Sequence, residues 1–387
     1  SNGTIGRMNI EQHYTTIVVG CGPAGIMGAR AASERGPVLL IDAMKLPREK
    51  SCGGMLNEFS QAFIADELGT QVPENLLVDP EWIHFRYFDW DRDIREATTL
   101  KFANVDRKAF DEWLMGFLPD NVTVVDDLRL IHLSQTRDEV TVQLQAADDV
   151  DADVITVTCS YLLGADGPRS ETRRQLPVSQ LKLYKTLQDY LPLTGSVEPY
   201  FDCVYARGIG DDYGYGYVVP KGDHIILGSV FFPGSKHVNK LHEKAVDLYS
   251  AYYNYSTEHT RREAWNAISV TSVADIVGGH GRVLLAGEAG GIFSPSSGEG
   301  ISFALNSGTL AGRAIADAHE GATLIGKRNH FSSEESEALR LYREALGPIR
   351  RNIERRLKFF PIMNSDIGKF LGAYVPPKII DKFTHII

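Results

Sequence analysis

Short apolar runs that end in glycine or aspartate mark the first part of the chain. Residues 15–20 (TTIVVG) and 37–42 (PVLLID) have the unbroken apolar pattern typical of buried strands, and residues 24–35 between them have helical composition. A strand, a helix and a strand within about 30 residues form a βαβ unit. This unit predicts two parallel strands joined by a right-handed crossover.

Later segments carry the same two kinds of pattern. Residues 82–90 (WIHFRYFDW) are aromatic and partly alternating, which is typical of a strand with one solvated face. Residues 200–232 are strand-like and rich in tyrosine. The buried-strand pattern returns at residues 161–166 and 282–286, and an apolar helix is predicted over 301–314.

This order of elements predicts an α/β fold with an α+β substrate part. A Rossmann-like nucleotide-binding domain is interleaved with an antiparallel-sheet substrate domain and followed by a C-terminal helical tail. Two insertions build the second sheet, so the nucleotide-binding domain is discontinuous. The predicted boundaries are 8–79, 105–175 and 271–325 for the nucleotide-binding domain, 80–104 and 176–270 for the substrate-binding domain, and 326–387 for the helical region.

Composition and charge narrow the functional classes. The net charge of −10 at pH 7 lacks the basic footprint of a nucleic-acid-binding protein. No apolar run approaches the ~18 residues that a membrane span needs. The four cysteines (Cys21, Cys52, Cys159 and Cys203) form no CxxC pair and have no histidine at metal-ligand spacing. We therefore expect no disulfide framework, no metal site and a cytoplasmic location.

The first candidate binding motif is the GxGxxG sequence at residues 20–25 (GCGPAG), between the first predicted strand and helix. Gly20 permits a tight turn and Gly22 lets the backbone approach a pyrophosphate. Gly25 lets the helix pack closely on its strand, so that the helix N-terminus faces the phosphates. Asp42 closes the next strand, where a carboxylate accepts hydrogen bonds from a ribose. This context predicts a dinucleotide site.

Two further glycine motifs follow predicted strands. Asp166 lies in residues 164–167 (GADG), where an acid can bind a ribityl hydroxyl or a bound water. Glu288 lies in residues 287–290 (GEAG), and residues 298–301 (GEGI) open the predicted apolar helix. Backbone N–H groups at this helix start can face the electron-rich edge of an isoalloxazine ring. Each motif alone is also compatible with an ordinary turn or helix cap.

Together the three motifs resemble those of the glutathione-reductase-type FAD superfamily, in the branch that holds para-hydroxybenzoate hydroxylase, flavin-dependent halogenases and geranylgeranyl reductases. Their order and spacing cover most of the first 315 residues. The resemblance implies that the cofactor is FAD.

Further residues are similar to the geranylgeranyl reductase family. Residues 47–54 (PREKSCGG) resemble its PRxKxCGG segment, which passes beside the flavin, and residues 106–111 (DRKAFD) resemble its DRxxFD segment, whose arginine binds FAD. The stretch from Gly287 to Ile301 is close to the family's GDAAGxxxPxxGEGI. The motifs and the resemblance together predict these cofactor-binding residues: Gly20, Gly22, Pro23, Ala24, Gly25, Asp42, Ala43, Cys52, Gly53, Arg107, Asp166, Gly287, Glu288, Gly298, Gly300 and Ile301.

The chain departs from that family at two places. Glu288 replaces the usual aspartate, which shifts a ribityl contact by about one methylene. The family's YxWxFP substrate motif becomes residues 215–220 (YGYVVP), with Tyr217 in place of tryptophan. The same positions align with the WxWxIP motif of flavin-dependent halogenases, so this motif does not choose between the two families.

Three residues are catalytic candidates. The Cys52 thiol can position substrate or relay a proton near the flavin, or it is a small buried side chain of the kind common for free cysteines. Tyr215 and Tyr217 alternate with Tyr213, which predicts that all three share one sheet face. They either line a substrate pocket or are half-buried sheet tyrosines.

The tail from residue 334 onward is predicted to be helical and is rich in arginine. Residues 340–387 contain ten lysines and arginines against four acidic residues. Such a face can contact a membrane surface peripherally or bind an acidic partner. Alternatively it is the solvated outer side of a helix packed on the FAD domain. The basic residues concerned are Arg350, Arg351, Arg355, Arg356 and Lys358.

These observations leave three functional hypotheses. The first is a reductase that transfers hydride from reduced flavin to a carbon–carbon double bond of an apolar, isoprenoid-like small molecule. The second is a flavin-dependent monooxygenase or halogenase that acts on an aromatic or natural-product substrate through a C4a-(hydro)peroxide. The third is a flavoprotein that only binds or transfers electrons. No second GxGxxG is evident, so the expected reductant is external, either NAD(P)H or a ferredoxin-like protein.

Overall fold

Two eight-stranded sheets and eight α-helices make up the part of the chain that the computed structural model describes, residues 10–295, 297–325 and 335–364. The first sheet contains β1 (His13–Val19), β2 (Val38–Ile41), β6 (Val122–Val125), β7 (Leu128–Gln135), β8 (Val140–Ala146), β9 (Ile155–Gly164), β15 (Gly279–His280) and β16 (Val283–Leu285). The second contains β3 (Met55–Leu56), β4 (Leu77–Asp89), β5 (Ile94–Val105), β10 (Lys182–Pro192), β11 (Tyr200–Tyr205), β12 (Tyr213–Lys221), β13 (His224–Phe231) and β14 (Arg261–Ser269).

The helices are α1 (Pro23–Ala32), α2 (Glu58–Leu68), α3 (Arg107–Met115), α4 (Glu171–Arg174), α5 (Val238–Ser250), α6 (Ile301–Ile325), α7 (Glu337–Ala345) and α8 (Gly347–Asn364). The predicted α/β class, with a separate second sheet and C-terminal helices, is confirmed. The apolar helix predicted over 301–314 extends further, to Ile325. The domain boundaries stay a prediction. Strand β3 lies within the segment 8–79 that was predicted for the nucleotide-binding domain, but it pairs with β5 at the edge of the second sheet.

The first sheet aligns the ends of four parallel strands at one edge. Its central order is β15-β16-β9-β1-β2-β6, and β1 is parallel to both β2 and β9, as the βαβ pattern predicted. Val19 pairs with Ile41 on one side and with Gly164 on the other, and Gly164 pairs with Leu285. The residues after these strands carry the three glycine motifs and Asp42, so the sheet brings all four to the same edge.

Helices α1 and α6 cross with their backbones in contact. A β-carbon built on Gly308 would lie 2.1 Å from the Ala24 carbonyl oxygen, and one on Gly312 would lie 2.3 Å from the Gly28 oxygen. Only glycine permits such an approach. Because Ala24 meets Gly308 and Gly28 meets Gly312, the helices run in the same direction. Their N-termini therefore lie at the same end of the helical layer.

The second sheet has the order β14-β10-β13-β12-β11-β4-β5-β3. It is antiparallel except for one parallel pair, β4 with β11, which the sequence patterns did not indicate. Helix α5 packs on one face, where Tyr249 and Ala245 enter a cluster with Phe88 and Leu227. The opposite face carries Val219 and Ile226.

A buried polar network anchors α5 to this sheet. His242 of α5 places Nδ1 2.7 Å from the Ser229 hydroxyl and Nε2 3.2 Å from an Asp189 carboxylate oxygen. Arg262 donates to both oxygens of Asp189, at 2.7 and 2.8 Å. Burial opposes ionisation of Asp189, but hydrogen bonds from Arg262 and His242, and the attraction of their charges, lower the pKa of this carboxyl to about 2. His259 Nδ1 lies 3.7 Å from the same carboxylate.

The C-terminal helices pack against the layer formed by α1 and α6. Ile353 is fully buried there, and Ile349 and Leu357 pack beside it. No helix among the described residues is both long enough and apolar enough to cross a membrane. Residues 326–334 and 365–387 of the predicted helical region lie outside the described residues. Four of the predicted basic residues are exposed, which agrees with a solvated outer face: Arg350, Arg351, Arg355 and Lys358.

Replacing Asp189 with asparagine is expected to lower the free energy of unfolding by about 3 kcal/mol at pH 7, because Arg262 loses the carboxylate that it pairs with in this buried network. The pKa of Asp189 is lowered in the folded state, so its contribution is complete above the ordinary value of 3.8 and is lost as the pH falls towards about 2. Urea unfolding at pH 7 and pH 3 measures both effects, and the variant should show the smaller loss on acidification.

The matched control is Glu243→Gln. Glu243 lies 3.5 Å from the same Arg262, but its side chain is 62% exposed, so its loss should change the unfolding free energy by under about 0.5 kcal/mol. Equal effects of the two substitutions would show that the buried network does not stabilise the fold.

Candidate active site

Two glycines of the first motif are required by the fold itself. Gly20 follows β1 with φ +101°, and a β-carbon on it would lie 2.4 Å from the Ala165 carbonyl oxygen. A β-carbon on Gly25 would lie 1.7 Å from the Gly20 oxygen. Both positions therefore exclude any side chain, as the predicted tight turn and close helix packing require.

Gly22, unlike Gly20 and Gly25, is not required by close contact with the protein backbone. Its φ of −94° and ψ of −178° are ordinary extended values, and the nearest atom to a β-carbon there is Arg48 Nη2 at 3.2 Å. Apart from this side-chain end, the surroundings of that position are open at the start of α1, whose first residue is Pro23. The backbone leaves room here for a group that is not protein, and the N-terminus of α1 favours an anionic one.

Asp42 is held beside the glycine turn. One carboxylate oxygen accepts hydrogen bonds from the Cys21 N–H at 2.8 Å and from Arg48 Nε at 3.2 Å, and the other accepts from the Met44 N–H at 2.8 Å. Each carboxylate oxygen has two acceptor sites, so capacity remains for a ribose hydroxyl. Ala43, between Asp42 and Met44, is exposed and can offer only its backbone.

Asp166 lies next to the glycine turn but directs its carboxylate elsewhere. Its oxygens accept from the Ser170 hydroxyl at 2.5 Å and from the Thr172 N–H and hydroxyl at 2.9 and 3.1 Å. The expected ribityl or water contact of this side chain competes with these local bonds. The cause is short-range, since the serine and threonine at the start of α4 supply donors within six residues.

The third motif contributes a carboxylate with an unused oxygen. Gly287 follows β16 with φ +58°, and its β-carbon position lies 3.2 Å from the Ala24 side chain of α1. Glu288 accepts from Lys50 Nζ through one oxygen at 3.3 Å, whereas its other oxygen is buried without a hydrogen-bond partner. An unpaired buried carboxylate oxygen is costly, so this position fits a ligand hydroxyl.

The turn before α6 brings the second sheet to the glycine motifs. Gly298 has φ +68°, and a β-carbon on it would lie 3.3 Å from the Tyr215 hydroxyl. Gly300 packs against Phe293, whose ring would lie 2.9 Å from a β-carbon. Helix α6 then begins at Ile301, so its backbone N–H groups open beside Tyr215.

The loop at residues 47–54 lies between the glycine motifs and the second sheet. A β-carbon on Gly53 would lie 3.5 Å from Val219 and 3.7 Å from Phe201. Cys52 Sγ accepts from the Gly54 N–H at 3.4 Å. Burial alone would raise the pKa of the Cys52 thiol, but the Arg107 guanidinium, the Gly54 N–H and Lys50 outweigh it and hold that pKa below its ordinary value.

Unpaired polar atoms concentrate around this loop. Arg107 donates to Asp111 at 2.9 and 3.1 Å, yet its Nε has no partner. In the described part of the chain, buried side-chain atoms without hydrogen bonds are few, and four of them surround the proposed cofactor path. Because buried polar groups are normally satisfied, their clustering fits a polar ligand. They are Arg48 Nη1, Ser51 Oγ, Arg107 Nε and Glu288 Oε2.

Stacked and tilted rings cover the second-sheet face towards this loop, which we term the aromatic face. Neighbouring ring centroids are 5.1 to 6.0 Å apart. Tyr217 donates its hydroxyl to Gln188 at 2.8 Å and presents its ring, whereas no hydrogen bond of the Tyr215 hydroxyl is found among the described residues. The two rows of rings are Phe85, Phe201 and Tyr217, and Tyr87, Tyr205 and Tyr215.

Tyr213 does not belong to this face, so the predicted sharing of one face by three tyrosines is wrong. A β-bulge shifts the register between Tyr213 and Tyr215. Tyr213 instead contacts Tyr249 of α5, with 3.3 Å between the hydroxyls, and its hydroxyl would lie 2.4 Å from a β-carbon on Gly216. A bulge adds one residue to a strand, which moves the side chains before it to the other face. Tyr215 and Tyr217 remain at the site.

Sequence reasoning missed three basic residues of the site. Arg48 contacts Asp42, the acid that follows β2, and Lys50 contacts Glu288 of the third glycine motif. Their signal was present in the PREK sequence, but the pairing acids lie in other segments. Lys221 is buried and donates to Asn104 Oδ1 at 2.5 Å and to the Val105 and Gly54 carbonyl oxygens at 2.7 and 3.2 Å. Burial lowers the pKa of Lys221 to about 7.

Comparison with known proteins agrees with this geometry. Protein CbrA of Shigella sonnei is 28% identical over 307 residues, which cover 77% of this chain and 83% of CbrA. A geranylgeranyl bacteriochlorophyll reductase-like protein from Thermoplasma acidophilum has a TM-score of 0.73 at 17% identity, covering 96% of this chain and 90% of that protein. The flavin-dependent brominase Bmp2 has a TM-score of 0.70 at 16% identity, with 97% and 93% covered. These structural likenesses show a shared fold.

The family comparison is more specific than the fold. The model of the FAD binding domain family matches residues 119–334, more than half of the chain and including the second and third glycine motifs. The chain therefore belongs to the FAD binding domain family of FAD-dependent oxidoreductases, and its cofactor is FAD.

Proposed function

We propose that this protein is a reductase that adds hydrogen across a carbon–carbon double bond of a largely apolar, isoprenoid-like substrate. The observation that carries the proposal is the environment of Cys52. Its loop packs through Gly53 against the aromatic face, and basic groups lower the pKa of its thiol. A thiol in this position can deliver the proton that the second carbon of the double bond requires.

The cofactor would be held along the edge where the three motifs meet. Gly22 and Arg48 would receive the pyrophosphate, Glu288 a ribityl hydroxyl, and the backbone of residues 298–301 the edge of the ring system. FAD, when bound and reduced, supplies the hydride. Arg107 would keep its charge beside Cys52 and favour the thiolate after the proton has left.

The aromatic face would bind an extended apolar substrate through its rings. Tyr217 replaces the tryptophan of the related motif, but its hydroxyl is directed to Gln188, so the surface offered to substrate stays apolar there. Tyr215 would present one hydroxyl beside Gly298, able to orient a single polar group of the substrate. Electrons would come from an external donor, either NAD(P)H or a ferredoxin-like protein.

Reduced protein mixed with O2 in a stopped-flow instrument should reoxidise slowly, without a transient absorbance before the oxidised spectrum. The reason is that the proposed site is built to pass hydride to an alkene rather than to activate oxygen. Under anaerobic single-turnover conditions, isoprenoid and quinone alkenes should oxidise the flavin and give the saturated product. Fast, transient-forming reoxidation with hydroxylated or halogenated products would establish the monooxygenase or halogenase instead.

Gly22→Val should abolish retention of FAD, because the added side chain would fill the position proposed for the pyrophosphate at the start of α1 and would press on Arg48. The measurement is the flavin absorbance per protein after gel filtration. Gly208→Val is the matched control, since Gly208 is exposed and no atom lies nearer than 3.9 Å to its β-carbon position. A fully loaded yellow Gly22→Val protein would place the pyrophosphate elsewhere.

Cys52→Ser should slow anaerobic alkene reduction by about 100-fold while FAD remains bound, because a hydroxyl is a far weaker acid than this thiol. Single-turnover rates across pH measure the effect. Cys159→Ala serves as control: burial raises the pKa of that thiol to about 12, and it lies in the core of the first sheet. Unchanged rates in Cys52→Ser would remove Cys52 from the proton path.

A further inference from the structure

Arg356 is an exception among the basic residues of the C-terminal helix. The sequence pattern grouped it with surface residues, yet it is only 7% exposed, whereas Arg355 beside it is exposed. Its Nη1 donates to the Ser294 hydroxyl at 2.8 Å and its Nε to Asn352 Oδ1 at 2.7 Å. The guanidinium carbon lies 5.3 Å from the ring centroid of Phe303 on α6. A buried arginine requires such partners.

Ser294 is the residue that closes the turn before α6. Its N–H donates to the Glu299 carbonyl oxygen at 2.9 Å, and its own carbonyl oxygen accepts from the Gly298 N–H at 3.3 Å. Its hydroxyl also accepts from the Ser297 N–H at 3.2 Å. Arg356 therefore attaches α8 to a residue whose backbone and hydroxyl both make hydrogen bonds within this turn.

A half-buried acid lies at the other end of the turn. Glu299 accepts from the N–H and hydroxyl of Ser302 at 2.7 and 2.9 Å. Burial raises the pKa of Glu299, and the charge of Arg356 opposes that rise. Burial also lowers the pKa of Arg356, to about 10, so its guanidinium remains protonated at neutral pH. The turn is thus held between a buried cation and a half-buried carboxyl.

We propose that Arg356 is a positioning residue of the flavin site: through Ser294 it holds the turn formed by residues 294, 295 and 297–300 in the shape that receives the ring, and its charge favours the reduced cofactor. The proposal rests on the placement of FAD at this turn made above, and not on the identity of the substrate. A side chain of the C-terminal helix would then set both cofactor affinity and reduction potential, since reduction adds negative charge to the flavin.

Substrate-free measurements on the whole chain test this. In Arg356→Gln, the dissociation constant for FAD should rise about tenfold, since the turn loses its anchor. The ratio of reduced to oxidised FAD at a fixed potential should fall about tenfold, which is about 30 mV for a two-electron couple. Arg355→Gln removes the same charge one position away at an exposed site, and both quantities should stay within about twofold of wild type.

Arg356→Lys separates the two parts of the proposal. It keeps the charge but cannot donate in a fixed fork to Ser294 and Asn352, so the potential should recover while the affinity recovers only in part. If Arg356→Gln behaved like Arg355→Gln in both measurements, the proposal would be rejected. Loss of FAD in Gly22→Val alongside that result would show that the cofactor site stands and only the role of Arg356 is wrong.

If circular dichroism showed that Arg356→Gln does not fold, Arg356→Lys would decide. Wild-type affinity for FAD in Arg356→Lys would overturn the anchoring role, and a reduction potential shifted from wild type would overturn the charge role.

Discussion

Direct backbone contact between α1 and α6 is the constraint on which the rest of the structure depends. Gly308 and Gly312 meet the carbonyl oxygens of Ala24 and Gly28, and no side chain fits between them. This contact places the start of α1, with its open space at Gly22, near the turn that leads into α6. Segments that are distant in the sequence thereby form one continuous surface, the cofactor cradle, at the edge where the parallel strands of the first sheet end.

The loop at residues 47–54 is attached to the cofactor cradle by ion pairs. Arg48 pairs with Asp42 and Lys50 pairs with Glu288, so two basic residues of one short loop attach to acids that follow two different strands. Lys221 fastens the end of the same loop to the second sheet through Gly54. The loop is therefore held on both sides, and Cys52 is presented between the cofactor path and the aromatic face.

The second sheet depends on a different set of forces. Its helix-covered face is fastened by a buried network around Asp189, which leaves the opposite face free to carry aromatic rings. A cavity of about 200 Å³ lined by Arg86 and Asp202 also lies on the helix-covered side, where its charged groups already satisfy one another. The proposed site thus lies at the junction between the sheets, where four of the buried unpaired polar atoms of the described residues are found.

Sequence alone determined the βαβ unit, the glycine turns and the cofactor class, because these depend on short-range backbone geometry and on spacing within single segments. It also identified the apolar strands and the α6 helix, whose patterns repeat over neighbouring residues. Only the tertiary structure decided that Lys50 pairs with Glu288, that a bulge removes Tyr213 from the aromatic face, and that Arg356 is buried against Ser294. The long-range contacts among these join residues from distant segments, and the bulge is set by pairing with a neighbouring strand. Their outcome depends on which donors, acceptors and space the rest of the fold brings to each position.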